Sequence, residues 1–350
     1  MAPIKADRLI ADLRELASIG KLGTGVDRVA LSRADIEARR WLMGRMQEAG
    51  LAAQMDSVGN VYGRYPGADR AILVGSHTDT VPKGGWLDGA LGVIYGLEIA
   101  RASIEAGSAS RVGVDVVSFQ DEEGCFLSVL GSRSFCDTVT DAEIRAARSQ
   151  DGMPLAEALA ALRNEGPLIR RDPARVLCYL EAHIEQGPRL ESVGRRIGVV
   201  TGLVGIRRLR IRSRGQADHA GTTPMAMRKD AGLALFRLAT RIADEFPRLG
   251  GASTVWNIGS IALRPGAANV VPSEGEMTLE FRDTDTSMLD RLEQNVLAWV
   301  AEAKSGPVTM HAETLARIAP TRMAEDLAAA IAAAASECGE EPMFMPSGAG

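Results

Sequence analysis

Apolar residues recur along this chain in two rhythms, and the places where one gives way to the other divide it into elements. From residue 7 to 19, Leu9, Ile10, Leu13, Leu16 and Ala17 keep helical spacing. A second helix is expected from Ser32, where Ser-x-x-Asp to Asp35 resembles a capping box, to Gly50, a helix-ending glycine. Ile36, Leu42, Met43, Met46 and Ala49 would form its inward side. Turns at Gly59-Asn60 and Pro66-Gly67 bracket a short strand at Val61–Arg64. Residues 71–74 are continuously apolar, as in a buried parallel strand. A helix then begins near Ala90, carried by Leu91, Val93, Ile94, Leu97, Ile99 and Ala100, and Val112–Phe119 is again of strand type. Strand, helix and strand in that order predict a right-handed crossover, so both strands end on one edge of a sheet. That carboxyl edge is where open α/β sheets bind ligands.

Residues 138–172 are polar and partly helical, and a third strand is expected at 176–182. Around Gly205 the pattern changes. Strands at 206–213, 253–261, 276–281 and 308–313 alternate with helices at 229–246 and 289–300, the β-α-β-β-α-β order of a ferredoxin-like unit. An alanine-rich helix at 323–337 follows. The reading is therefore α/β in class, with a large domain at 1–205, an inserted α+β domain at 206–319, and a return to the large domain at 320–350.

Composition adds limits. The 350 residues are 46% hydrophobic and 24% charged, with a net charge of -5, enough for a large core and without the basic density that nucleic acid requires. The arginines at 207–214 are interleaved with Leu209 and Ile211, as on one solvated strand face. Cys125, Cys136, Cys178 and Cys338 form no metal or disulfide spacing, and the amino terminus lacks the apolar core of a signal peptide, so a cytoplasmic protein is expected. The alanine-rich run is too short to span a bilayer, and no membrane partner is expected. No G-x-G-x-x-G opens a helix after a strand, which disfavours a nicotinamide-dependent dehydrogenase.

Candidate chemistry sits at the three strand ends. The first carries His77, Asp79 and Asp88 on a glycine-punctuated loop, the second Asp121, Glu122 and Glu123, and the third His183. Asp88 as a helix cap, 121–123 as a solvated turn and each histidine as a core group are the plain alternatives. Their coincidence at one sheet edge favours a metal instead. Imidazole and carboxylate ligands without cysteine suit Zn2+, with Mn2+, Co2+ or Ni2+ as alternatives. Of two consecutive glutamates, one can ligate while the other serves as a base toward water. His219, between glycine-rich and Thr-Thr-Pro segments, reads as a placed loop histidine, whereas Asn269 and Arg282 read as surface.

The segments GSHTDTVPKGGWLDG, DEEG with LGSR, EAHIEQGP, GQADHAGTTPM, NVVP, EFRDTD and PSGAG occur in an order that resembles the di-zinc amidohydrolases. That family includes N-carbamoyl-L-amino-acid hydrolase, β-ureidopropionase and allantoate amidohydrolase, relatives of aminoacylases and carboxypeptidases. The resemblance implies a di-zinc-exopeptidase-like large domain with a ferredoxin-like lid and dimerisation domain. It further implies His77, Asp88 and His183 on one metal, Asp88 and Glu123 on a second, and Glu122 as general base. Asp79 would hydrogen-bond His77, His219 would stabilise the oxyanion, and Asn269, Arg282 and Gln186 would contact the substrate. A homodimer acting on a small carboxylate substrate is the corresponding expectation. Hydrolysis of an N-carbamoyl-L-amino acid comes first, with allantoate and a non-catalytic subunit as alternatives. The family pattern continues past PSGAG to a further histidine, so the second metal site is expected to be incomplete and 320–350 to be a truncated return. Cys125, Leu127 and Glu280 also depart from the family pattern.

Overall fold

The computed structural model describes residues 3–107, 111–162, 165–303 and 307–348; the last two residues of PSGAG lie outside the described residues. The chain divides into two compact units, Met1–Ile184 and Glu185–Gly350.

In the first unit, helices α1 (Ala6–Ser18) and α2 (Arg33–Glu48) precede strands β1 (Ala52–Met55), β2 (Val61–Arg64) and β3 (Arg70–His77). Helix α3 (Ala90–Glu105) then leads to β4 (Val112–Phe119), and after α4 (Leu130–Phe135) the unit closes with β5 (Val176–Leu180). The sheet order is β1-β2-β4-β3-β5, with β3 parallel to both β4 and β5. The register sets Val74 beside Val116 and Leu180, and His77 beside Phe119. All three parallel strands therefore release their chains at one edge. Leu42, Met46, Val93, Ile94, Leu97 and Val116 fill the adjoining core, each worth about 1.5–3 kcal/mol when fully buried. Ile10, placed by its spacing on the inward side of α1, is exposed.

In the second unit, β6 (Gly198–Leu203) runs into β7 (Gly205–Arg214), followed by α5 (Ala231–Leu249), β8 (Val255–Arg264), β9 (Glu274–Asp283), α6 (Thr286–Ala303) and β10 (Thr309–Ile318). Strands β7 to β10 form an antiparallel sheet of order β8-β9-β7-β10, the ferredoxin-like arrangement. Leu209 and Ile211 are buried while Arg208 pairs with Glu280 and Arg212 with Glu276 on the opposite face, as the alternation predicts. Arg207 is the exception, buried against Glu293 and Asp290. Phe246 meets Trp256 and Phe281 edge-on at the centre of this core. Beyond β10 come β11 (Thr321–Arg322), α7 (Glu325–Glu337) and β12 (Met343–Ser347). Strand β6 pairs antiparallel with β11 and parallel with β12, so the segments on either side of the ferredoxin-like stretch share one small sheet.

Candidate metal centre

His77 is the last residue of β3 and is buried. Its Nδ1–H donates to the carbonyl oxygen of Asp79 at 2.9 Å, which leaves the Nε2 lone pair free. His183, past the end of β5, does the same through Ile184 at 2.9 Å. Two unrelated loops thus set two imidazoles in one tautomer, and the ring centroids lie 6.0 Å apart. Asp88 Oδ1 is 3.3 Å from His183 Nε2, and Glu122 Oε2 is 3.6 Å from His77 Nε2. Ligand atoms bound tetrahedrally at zinc distances stand about 3.4 Å from one another, so this spacing fits a shared ion. Donor atoms of His77, Asp88 and His183 all fall within 4.8 Å of one another, and those of His77, Glu122 and Glu123 form a second such group.

Local structure explains why these side chains face one point. Asp88 is not the cap residue of α3: the cap position is Gly89, which has no side chain to offer the helix start. Gly89 has φ +62, and a Cβ there would stand 2.4 Å from the His77 ring, so only glycine lets the loop pass the imidazole. The acidic turn is only half solvated. Asp121 is buried, and its carboxylate accepts the backbone N–H groups of Cys125, Phe126 and Leu127 at 2.6, 3.0 and 2.8 Å. Asp121 therefore builds the loop and leaves Glu122 and Glu123 to face the histidines.

The electrostatics are those of a site short of positive charge. Burial, reinforced by Glu123 and Asp79, pushes Glu122 up to about 8. Burial also raises Glu123, an effect that His77 opposes, and holds His77 below the ordinary imidazole value. A divalent cation is the group that would let these carboxylates ionise together.

Asp79 meets His77 through its backbone carbonyl and not through its carboxylate, which lies 3.9 Å from Nδ1. The carboxylate instead accepts from Arg39 Nη2 at 3.2 Å and from the Glu123 N–H at 3.3 Å. Sequence reasoning took Asp35 only as part of a helix cap and gave Arg39 no role, since nothing local to a helix shows that an arginine on it is buried. Both are fully buried, joined at 2.9 Å, and Gln120 Nε2 also donates to Asp35 at 2.9 Å. Glu181 also lies at this edge, where it accepts from the hydroxyls of Ser76 and Tyr179.

The remaining predicted residues lie in the second unit. His219 and Asn269 are neighbours there: Ala220 N–H donates to the Asn269 carbonyl at 2.9 Å, and His219 bridges to Val270. His219 Nδ1 accepts the Gly221 N–H at 3.1 Å, so its ring proton sits on the exposed Nε2. Arg282, on β9, gives Nε and Nη2 to Glu280 at 2.9 and 2.7 Å and Nη1 to the Gly348 carbonyl. Gln186 lies in a left-handed turn, φ 55.

Residues 73–350 match Peptidase family M20/M25/M40. The chain belongs to this family. It is 36% identical over 357 residues to the N-carbamoyl-L-amino acid amidohydrolase of Geobacillus stearothermophilus, covering 99% of this chain and 86% of that protein. A 34% identity links it to an allantoate deiminase of Arabidopsis thaliana over 81% of this chain and 59% of the relative. Among solved structures, an amidase of the hydantoinase/carbamoylase family from Burkholderia phymatum superposes with a TM-score of 0.91 and 47% identity, covering 100% of this chain and 88% of that one. Membership with amidohydrolase relatives of this kind makes the chain an enzyme of the M20 family, of amidohydrolase type. Among the described residues no helix is long and apolar enough to cross a membrane.

Proposed function

We propose that the chain hydrolyses the ureido group of an N-carbamoyl-L-amino acid, one water yielding the amino acid, ammonia and CO2. The observation that carries this reading is the meeting of His77, Asp88, His183, Glu122 and Glu123 at the ends of three neighbouring parallel strands. The donors of His77, Asp88 and His183 suit a divalent ion of the zinc class, with Mn2+, Co2+ and Ni2+ as alternatives, and Glu123 adds a carboxylate. Such an ion supplies Lewis acidity, polarising the ureido carbonyl and acidifying water. Glu122 takes the proton of the attacking water and returns it to the departing nitrogen. His219, with its Nε2–H exposed, donates to the developing oxyanion. Asn269 and Arg282 bind the substrate carboxylate, Arg282 releasing Glu280 to do so, and Gln186 is a further contact to the substrate.

The two candidate groups share one His77 nitrogen, so one tightly held ion per chain is expected, with a second ion bound more weakly. We further assign the ferredoxin-like segment as a lid and dimerisation element. Its edge strand β8 is largely exposed, with Val255 at 57% and Ile261 at 40%, and an open apolar edge favours pairing with a second copy. Free, separated cysteines agree with a cytoplasmic setting.

The deciding experiment measures ammonia released from N-carbamoyl-L-methionine and from allantoate by zinc- or manganese-loaded protein. Faster release from the carbamoyl compound is expected. Faster release from allantoate moves the assignment to the activity named for the Arabidopsis relative, and release from neither by folded, metal-loaded protein overturns both substrates and favours the non-catalytic alternative. Glu122→Gln should lower turnover at least about 100-fold while metal is retained. Loss of metal in that variant would exchange the roles given to Glu122 and Glu123.

A further inference from the structure

We infer that Arg39 is the positioning residue of this centre, its buried guanidinium fixing Asp79 and, through Asp79, the His77 ring and the Glu123 backbone. The inference rests on His77 being a metal ligand, as proposed above. Arg39 projects from α2 with no exposed surface, and each nitrogen is used. Nε donates to Asp35 at 2.9 Å, Nη1 to the Gly59 carbonyl at 3.1 Å, and Nη2 to the Phe119 carbonyl at 3.1 Å and the Asp79 carboxylate at 3.2 Å. One planar group therefore ties a helix, a turn and the end of β4 to the loop behind the metal ligands. Asp79 passes the constraint on in two directions. Its carbonyl takes the His77 Nδ1–H at 2.9 Å, and its second carboxylate oxygen takes the Glu123 N–H at 3.3 Å.

A lysine here would keep the charge without the fork, and its ammonium cannot span these four partners. Arg175 supplies a matched control. It is also buried, but its bonds go to Asp115 at 2.7 Å and to the carbonyls of Tyr65 and Ala68. Loss of a buried arginine pair should lower stability in either place. Only the Arg39 change should reach the metal ligands.

The test compares Arg39→Lys and Arg175→Lys, both confirmed as folded by circular dichroism. Zinc affinity is measured by competition with a chelator, and the His77 tautomer by 15N-histidine spectra of the zinc-free proteins; the sequence has only 4 histidines. Arg39→Lys is expected to weaken zinc binding by about 10–100-fold. It should also move His77 from a single Nδ1–H tautomer to a mixture, while Arg175→Lys leaves both readouts unchanged. Wild-type zinc affinity and tautomer in folded Arg39→Lys overturn the inference, whatever the melting temperature does. Should that variant fail to fold, Asp79→Asn is measured in the same way, and unchanged values again overturn it. Wild-type protein that binds zinc yet releases no ammonia defeats the proposed reaction alone. Wild-type protein that binds no zinc defeats the metal centre, and the tautomer measurement then decides the role of Arg39.

Discussion

Glu122 carries the clearest residue-scale consequence, because its proton affinity differs so much between the folded and unfolded chain. Its carboxyl is pushed from an ordinary 4.5 to about 8, chiefly by burial. A group that binds its proton more tightly when folded adds stability that is whole below the unfolded value and lost as pH rises through the folded one. In zinc-free protein the stability that Glu122 adds should therefore fade between about pH 5 and pH 8, seen in thermal scans as a melting temperature that falls further, or rises less, across that range in wild type than in Glu122→Gln. Gly89 gives a second test. A methyl group there meets the His77 ring at 2.4 Å on a backbone of φ +62. Gly89→Ala should cost about 1–2 kcal/mol in backbone strain alone. It should also weaken zinc binding, read by the same chelator competition. The histidines and the acidic pair were legible as residue types after strands. Asp79 was legible as a neighbour of His77, but its backbone carbonyl as the contact was not, since only three-dimensional placement selects between two oxygens of one residue.

Elements were easier to read than their partners. The periodicity of α3, α5 and α6 and the apolar runs of β3 and β4 are present in the structure with boundaries close to those expected. The capping box at α2 is half formed. Ser32 accepts the Asp35 N–H at 3.2 Å, but the Asp35 carboxylate turns inward to Leu31 N–H and Arg39, because a buried guanidinium needs it more than a helix end does. At α5 the cap is Asp230, which accepts the Leu233 N–H at 2.9 Å. Asp230→Ala should cost about 0.5–2 kcal/mol, measured by chemical denaturation, with no change in metal affinity. Leu233 itself keeps the helical spacing but is exposed, since one apolar stripe is wider than the face that the sheet covers.

At the scale of the whole molecule, the two units carry separate cores. The proposed metal ligands all lie within Met1–Ile184, while Phe246, Phe281 and Leu235 centre a cluster within the second unit. Phe246→Ala should destabilise that unit by about 3–5 kcal/mol and leave zinc affinity unchanged, which denaturation followed alongside zinc titration would measure. The pattern of apolar and polar residues was sufficient for the α/β class, the crossover that aligns β3 and β4, and the β-α-β-β-α-β order, because side-chain periodicity is a local property of each element. It was also sufficient for the residue types gathered at the sheet edge. What only the tertiary structure decided is how Asp121, Arg39 and Asp35 serve as a buried polar frame. Charged residues read as solvated until burial is known, and burial depends on contacts between segments far apart in the chain.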